Sequence, residues 1–339
     1  MNTLKDTYQP KPATSKKDIE KVQHTFDYEI FSVHTLSDIF VILLNGKVFK
    51  GVKHRRGDDS ATADTKYAEI ADLKETVKHS EILNGILYIA TSSTLYKIED
   101  PFAKKNESDE EKNEPKKENS GVKESALHES SKNGKIEVKT VFKHDFEKIT
   151  ALNITQDEGI IAFGDYDGKI TVKLSDRVYD YTEHEDAIVD LLVLTKVIFS
   201  ASEDGMVLKT KIGELEPADA YEIGKPIRYF GKLDNKLVVI DGYGTPYTVS
   251  KSANDLKKGN RLVRKITDVV KIKGALYVSH NNDFYRITTN KNISRVNIPR
   301  ARVDGVFEYS HKLYCYAGSE IKGWKEKKAT ELDEFFEDL

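Results

Sequence analysis

The sequence predicts an all-β protein built from seven copies of one small sheet, and two observations support this prediction. In residues 181–212, two apolar segments precede an Asp-Gly turn and a segment in which apolar and polar residues alternate. Similar apolar segments recur along the chain at a nearly constant spacing. Short strands that are separated by turns and repeat about every 40 residues are typical of the four-stranded blades of a β-propeller.

Seven apolar segments mark the second strand of each copy. They are IFVILL at Ile39, ILYIA at Ile86, IIAFG at Ile160, VIFSAS at Val197, LVVID at Leu237, LYVSH at Leu276 and LYCYA at Leu313. With Leu87 as the second anchor, four of the six intervals are 37 to 40 residues long, which is the period of a blade. Each segment lies between two other apolar segments. The sequence therefore predicts a seven-bladed propeller rather than a single half-buried meander.

The two longer intervals contain insertions. Residues 101–135 are rich in Lys, Glu, Asn and Ser and have no aromatic residue after Phe102. We expect this segment to be disordered, because it cannot bury enough apolar surface to offset its ordering entropy. A shorter insertion, HRRGDDSATADT, occupies residues 54–65. Both lie between the third and fourth strands of a copy, so we expect them on one face of adjacent blades, where binding surfaces often form.

These boundaries divide the chain into three parts. We assign residues 1–25 to a flexible N-terminal arm, residues 26–327 to the propeller and residues 328–339 to an acidic and aromatic tail. The ring is expected to close, because an open propeller leaves strand edges unpaired. A strand at residues 22–26 is one candidate for closing it.

Composition and charge exclude several classes of function. The 339 residues are 38% hydrophobic, enough for a sizeable core, and a net charge of -3 argues against a globally basic nucleic-acid binder. The single cysteine, Cys315, forms no internal disulfide, and we expect an intracellular chain without a signal peptide. The longest apolar run, residues 39–44, is far shorter than the roughly 20 residues that cross a bilayer, so we expect no membrane contact.

Motifs for catalysis or cofactor binding are absent from the sequence. We find no dinucleotide-binding glycine pattern, phosphate-binding loop or nucleophile elbow. The nine histidines are scattered, and Cys315 lacks metal-ligand spacing and lies in an apolar segment, as a core residue would. We therefore expect no enzyme activity, no cofactor and no metal.

Residues 181–212 resemble one repeat of a WD40 propeller. In such repeats the turn aspartate, a strand serine and a leading histidine form a buried hydrogen-bond network, which would comprise Asp204, Ser200 and His184 here. The other copies are degenerate. The turn aspartate recurs as Asp167, and the tryptophan that closes a WD40 repeat remains only as Trp324.

Two stretches resemble one family of WD40 proteins, the WD repeat-containing protein 55 family. EHEDAIVDLLVLTKVIFSASEDGMV, at residues 183–207, is similar to a strand and turn of that family. LDEFFEDL, at residues 332–339, is similar to its segment beyond the last blade. The resemblance implies a place in the nucleus and nucleolus, in ribosomal RNA production and subunit assembly. It implies a monomer within a larger complex of assembly factors and the pre-ribosomal particle.

The C-terminal tail has the character of a docking segment. Four apolar side chains stand among acidic residues, at Leu332, Phe335, Phe336 and Leu339. We expect them to bind a partner's groove as a short helix, since exposed Phe pairs are unfavourable in water, although a frayed end or packing onto the propeller would also fit.

Alternative functions remain open at this stage. The tail also resembles a sliding-clamp motif, with Ala329 where that motif has Gln, so a clamp, chromatin or ubiquitin-ligase adaptor is the second hypothesis. An enzyme with a site in the central channel is the third. RNA contact through residues 54–56 or 300–302 would be indirect or weak, since small basic clusters are more often solvated rims.

Overall fold

The computed structural model describes a large part of the chain. The described residues are 22–53, 65–99, 136–214, 216–233, 236–249, 256–259, 266, 268–272, 275–280, 283–287, 293–296, 304–309 and 312–323. The predicted insertion at residues 101–135 and the predicted tail at residues 328–339 lie outside them. No described residue belongs to a helix of the length and apolar character that crossing a membrane requires.

The described residues form 28 β-strands. The first nine are β1 (Val22–Thr25), β2 (Ile30–Thr35), β3 (Ile39–Leu43), β4 (Lys47–Lys53), β5 (Thr65–Asp72), β6 (Val77–Leu83), β7 (Ile86–Thr91), β8 (Thr94–Glu99) and β9 (Glu137–Lys143). The next eight are β10 (Ile149–Ile154), β11 (Ile160–Asp165), β12 (Ile170–Leu174), β13 (Arg177–Tyr181), β14 (Ile188–Leu194), β15 (Val197–Ser202), β16 (Met206–Lys211) and β17 (Asp219–Glu222). The last eleven are β18 (Ile227–Leu233), β19 (Lys236–Asp241), β20 (Pro246–Val249), β21 (Leu256–Lys258), β22 (Asp268–Ile272), β23 (Ala275–His280), β24 (Asp283–Ile287), β25 (Ile293–Val296), β26 (Gly305–Tyr309), β27 (Lys312–Ala317) and β28 (Glu320–Gly323).

These strands form seven antiparallel sheets of four strands within the described ranges. The first six sheets each contain four consecutive strands, starting at β2, β6, β10, β14, β18 and β22. The first strand of each sheet contacts the first strand of the next, and contact between β26 and β2 completes the cycle. The predicted fold class, an all-β seven-bladed propeller, is therefore confirmed.

The seventh sheet closes the ring with a strand from the other end of the chain. Its order is β26, β27, β28 and then β1, so the N-terminal strand occupies the outer edge. His24 lies opposite Ile321, and Thr25 lies opposite Glu320. The predicted boundary of the N-terminal arm at residue 25 is therefore corrected, because the propeller begins at Val22. Pairing with β28 satisfies backbone groups that an arm would leave to water.

The apolar core lies between the sheets rather than inside any one of them. Each buried cluster joins two neighbouring sheets; Phe40 packs with Leu87 of the second sheet, and Val41 packs with Phe307 of the seventh. All five residues of β3 are buried, because neighbours cover both faces of the sheet. This burial explains why second strands are continuous apolar runs in the sequence. Burying one such side chain stabilises the fold by about 1.5–3 kcal/mol.

Turns between second and third strands pack against the connections between sheets. The Phe146 N–H donates to the Ser92 oxygen, the Ile223 N–H to the Gly205 oxygen and the Ile30 N–H to the Gly318 oxygen. We call this side of the propeller the turn face. It comprises the turns at residues 44–46, 92–93, 166–169, 203–205, 242–245 and 318–319 and the connections at residues 26–29, 73–76, 144–148, 182–187 and 223–226.

The opposite side, which we call the hairpin face, carries the first-to-second and third-to-fourth connections of each sheet. Both predicted insertions leave this face, one between β4 and β5 and the other between β8 and β9. These strand pairs belong to adjacent sheets. The chain also enters the propeller at β1 and leaves it at β28 on this face, because antiparallel strands alternate in direction. The four longest segments outside the described residues therefore join one sector of one face.

Two glycines with similar backbone angles test how tightly the turn face is packed. Gly168 has φ +80, and a Cβ there would lie 2.4 Å from the His184 backbone oxygen. Gly85 has φ +77 with open space around its Cβ position. We expect Gly168→Ala to lower the free energy of unfolding by about 1–3 kcal/mol more than Gly85→Ala, because only the former forces two loops apart. Urea denaturation measures both variants, and equal losses would contradict the packing.

Candidate interaction surface

Three residues of the predicted repeat network meet at the turn face of the fourth sheet. The His184 Nδ1 atom lies 2.8 Å from Asp204 Oδ2, and Nε2 lies 2.8 Å from Ser200 Oγ. The His184 side chain is fully buried, and the Asp204 side chain is 10% exposed. A buried imidazole with a partner on each nitrogen ties the connection before β14 to β15 and to the following turn.

Asp204 also organises the turn itself. Its Oδ1 accepts the Met206 N–H at 2.8 Å, and its Oδ2 accepts the Glu185 N–H at 3.1 Å. Ser202 adds a hydroxyl that donates to the Asp186 backbone oxygen. One carboxylate therefore satisfies two backbone donors and a histidine, in agreement with the preference of Asp for turns.

Asp167 occupies the position of Asp204 in the third sheet but does not join a buried network there, which corrects the prediction. The turn carboxylate there is Asp165, whose Oδ1 accepts the Asp167 and Lys169 N–H groups at 2.9 Å each. The Asp167 side chain is 61% exposed and accepts a hydrogen bond from Lys148. The third sheet has Asp145, four residues before Ile149, where the fourth has His184, four residues before Ile188, so no imidazole is present at that position to bind Asp167.

Asp241, which sequence reasoning missed, has the same role in the fifth sheet. It is completely buried at the end of β19, and its Oδ1 accepts the Tyr243 and Thr245 N–H groups at 2.9 and 2.8 Å. Asp241 and Asp165 each end the second strand of a sheet. Alignment of the strand ends, rather than a search for Asp-Gly pairs, would have found both.

The remaining predicted site residues lie outside the described residues. They are Trp324, the tail residues Leu332, Phe335, Phe336 and Leu339, and the basic clusters at residues 54–56 and 300–302. Their roles stay predictions.

Exposed aromatic residues mark the turn face. Four large hydrophobic side chains are exposed in the described part of the chain, and three of them, Tyr28, Tyr166 and Tyr243, lie on this face. The fourth, Val178, lies on the outer strand β13. Tyrosine is over-represented among the residues that dominate protein interfaces, because its ring gives a large contact area with a polar end.

The innermost strands contain a small polar cluster that the sequence did not reveal. The Ser80 hydroxyl lies 2.9 Å from His34 Nε2 and 2.6 Å from the Ser32 hydroxyl, so β2 and β6 are joined across the first two sheets. Burial, together with neighbouring His79, lowers the pKa of His34 to about 4. His34 is therefore a neutral hydrogen-bonding group at physiological pH.

Metal and thiol chemistry find no support in the described ranges. No group of three or more His, Cys, Asp or Glu side chains there could hold a metal ion. Cys315 is a free thiol that is 2% exposed in β27, and burial raises its pKa. A protonated, inaccessible thiol is a core residue rather than a nucleophile.

Comparisons with known proteins resolve the fold but no family. The chain resembles the crystal structure of the WD40 β-propeller domain of Doa1, with a TM-score of 0.57 and 11% identity, over 92% of this chain and 97% of that one. The fold is a WD40-type β-propeller. The chain also resembles the computationally designed Ika8 protein, with a TM-score of 0.56 and 12% identity, over 91% and 99% of the two chains. No protein-family model matches the chain, and no curated protein sequence does so.

Similarity at this level of identity shows the fold alone. Whatever distinguishes this propeller from others must therefore lie in its own surface residues.

A matched pair of substitutions measures how much the His184 network contributes to the free energy of unfolding. We expect Asp204→Ala to lower the free energy of unfolding by about 2–4 kcal/mol, because it leaves the buried Nδ1 atom of His184 and two backbone donors without a partner. Asp167→Ala, at the same position one sheet earlier, should change it by less than about 0.5 kcal/mol, since that carboxylate is exposed. Chemical denaturation of both variants checks this prediction. Similar losses in the free energy of unfolding would show that the buried network stabilises the fold no more than an exposed aspartate does.

The half-buried His34, with its lowered pKa, should give the fold a distinct dependence on pH. Its folded-state pKa lies below the ordinary value of 6.5, so the unfolded chain binds more protons below that pH. Stability should fall by roughly 2–3 kcal/mol as pH drops from 6.5 to 4. His34→Gln, which cannot titrate, should lose this part of the pH dependence. Denaturation curves of both proteins between these values measure the difference, and parallel curves would contradict it.

Proposed function

We propose that the chain is a non-catalytic scaffold that gathers proteins on its turn face, within ribosomal RNA production and ribosomal subunit assembly in the nucleus and nucleolus. The observation that carries the scaffold role is the concentration of exposed tyrosines, Tyr28, Tyr166 and Tyr243, on one face of a rigid ring. These residues belong to different connections and turns, so they are spread around the face rather than gathered at one point. Such spacing suits a surface that binds several partners or one large one.

The ribosomal setting rests on the sequence. Residues 183–207 resemble the WD repeat-containing protein 55 family, and so does the acidic tail with Phe335 and Phe336. In this setting the partners are assembly factors and the pre-ribosomal particle, and the tail is a second docking element. RNA is contacted indirectly or weakly, no membrane is involved, and the protein acts as a monomer within the larger complex.

A catalytic role has less support. The structure brings Ser80 and His34 together, but a pKa near 4 makes that imidazole a weak base at neutral pH. No carboxylate in the described part of the chain forms a hydrogen bond with His34 to orient it, as the base of a serine nucleophile requires. The pair instead joins two innermost strands.

Affinity purification of the intact chain from cells, with mass spectrometry and RNA sequencing, tests the proposal. Two variants accompany it: one in which Tyr28, Tyr166 and Tyr243 become serine, and one that ends at Lys328. Val178→Ser is the matched control, because it removes an exposed apolar side chain from the outer strand. We expect the intact chain and the control to retain pre-ribosomal proteins. The tyrosine variant should lose most of them, and the truncation should lose a subset.

Three other outcomes would each overturn one part of the proposed function. Capture of clamp, chromatin or ubiquitin-ligase components without ribosomal precursors would overturn the ribosomal setting and favour the alternative adaptors. Equal capture by the tyrosine variant and the intact chain would overturn the turn face as the binding surface. Failure of the intact chain to retain any protein would overturn the scaffold role.

A further inference from the structure

A groove crosses the turn face between the second and third sheets. Its deeper part has a volume of about 400 Å³ and lies between the connection at residues 144–148 and the turn at residues 165–169. A wider, more open part continues toward Glu75 and Ser93. The two parts meet at His144 and Asp145, which line both of them.

Aromatic rings form part of this groove. The partly exposed imidazole of His144 packs edge-on to Phe163 at 5.0 Å between centroids. Tyr166, beside the deeper part, has the most exposed aromatic side chain in the described residues, at 68%. Cations already stack on rings elsewhere in this fold, as Lys225 does over Tyr243 at 4.6 Å. His144 already stacks on Phe142 at 5.6 Å, so exposed Tyr166 offers the comparable face for an arginine or lysine from a partner.

Charge in the groove is predominantly negative. Five carboxylates and three lysines line it, namely Glu75, Asp145, Glu147, Asp165 and Asp167 with Lys143, Lys148 and Lys169. Lys169 pairs with Asp180 at 3.0 Å, and Glu147 pairs with Lys78 at 2.7 Å, so these two charges are balanced by residues outside the groove. Lys148 lies among three aspartates and donates to Asp167; this bond, with the charges of Asp167, Asp165 and Asp145, raises its pKa.

Two of the groove carboxylates are held in place by groups other than cations. Glu75 accepts hydrogen bonds from the Thr91 hydroxyl at 2.6 Å and the Ser93 hydroxyl at 2.9 Å. Asp165 accepts two backbone N–H groups with one oxygen. Neither carboxylate forms a hydrogen bond with a lysine or arginine among the described residues. Fixed negative charge beside exposed rings attracts a cationic chain and repels an acidic one.

We propose that this groove binds an extended basic segment of a partner protein, with an arginine or lysine side chain placed between Tyr166 and the carboxylates of Asp145 and Asp165. This inference rests on the proposed scaffold function and names the chemistry of one partner. The backbone of the segment would run from Glu75 past Asp145 to Tyr166.

Fluorescence anisotropy with the full chain tests the groove directly. The probe is a fluorescein-labelled peptide of alternating arginine and glycine, and its counterpart has glutamate in place of arginine. We expect Asp145→Asn with Asp165→Asn to weaken binding of the arginine peptide at least about tenfold. Asparagine keeps the oxygens that accept the turn N–H groups, so the loops should remain in place.

A matched double variant on the hairpin face controls for total charge. Asp157 and Asp176 lie in exposed turns of the same third sheet, and Asp157 also accepts a backbone N–H. Asp157→Asn with Asp176→Asn should weaken arginine-peptide binding less than about twofold. Equal weakening by both double variants would overturn the groove, and so would comparable binding of the glutamate peptide or no binding of the arginine peptide below about 1 mM.

The same variants separate this inference from the scaffold role. If the groove variant retains every cellular partner of the intact chain, the groove is overturned while the scaffold stands. If the intact chain retains no partner, the scaffold role fails whatever the peptides do.

Discussion

Burial of each sheet's apolar faces against its two neighbours is the constraint on which the rest of this structure depends. Among the described residues no sheet has a core of its own, since the buried clusters join residues such as Phe199 and Phe230 from successive sheets. A sheet at the end of an open row would expose one of its faces. The row must therefore return to its start, and the contact between β26 and β2 brings the two ends of the chain together.

This constraint leaves the turns free to differ. Only the fourth sheet, among the turns described, unites a buried histidine, a serine and an aspartate. The third and fifth sheets fix the same turn with one carboxylate at the end of the second strand, Asp165 or Asp241. Because the framework tolerates either solution, the repeat motif can decay while the turn face keeps its shape. Exposed residues such as Tyr166 can then be selected for binding.

The sequence predicts the framework well because the framework is made by periodic burial. The second strands are apolar runs because neighbouring sheets cover both of their faces. The number of these regularly spaced runs gives the number of sheets. The closing strand is harder to predict, since Val22–Thr25 is short, polar and at an outer edge. Asp165 rather than Asp167 accepts the turn N–H groups because it ends the second strand, a position that an Asp-Gly pair does not mark. The groove beside His144 was not predictable, because it joins loops from two sheets and depends on their relative position.

The most direct test of this account is to remove the closing strand and to measure the stability and the amide hydrogen exchange of the remaining ring. A chain without residues 1–25 is compared with a chain without residues 1–18, by urea denaturation and by amide hydrogen exchange at β28. Closure predicts that only the longer deletion exposes β28 to exchange and lowers the free energy of unfolding by about 3 kcal/mol, at about 1 kcal/mol for each lost strand hydrogen bond. Equal stability of the two chains, with β28 still protected, would contradict a ring that depends on closure.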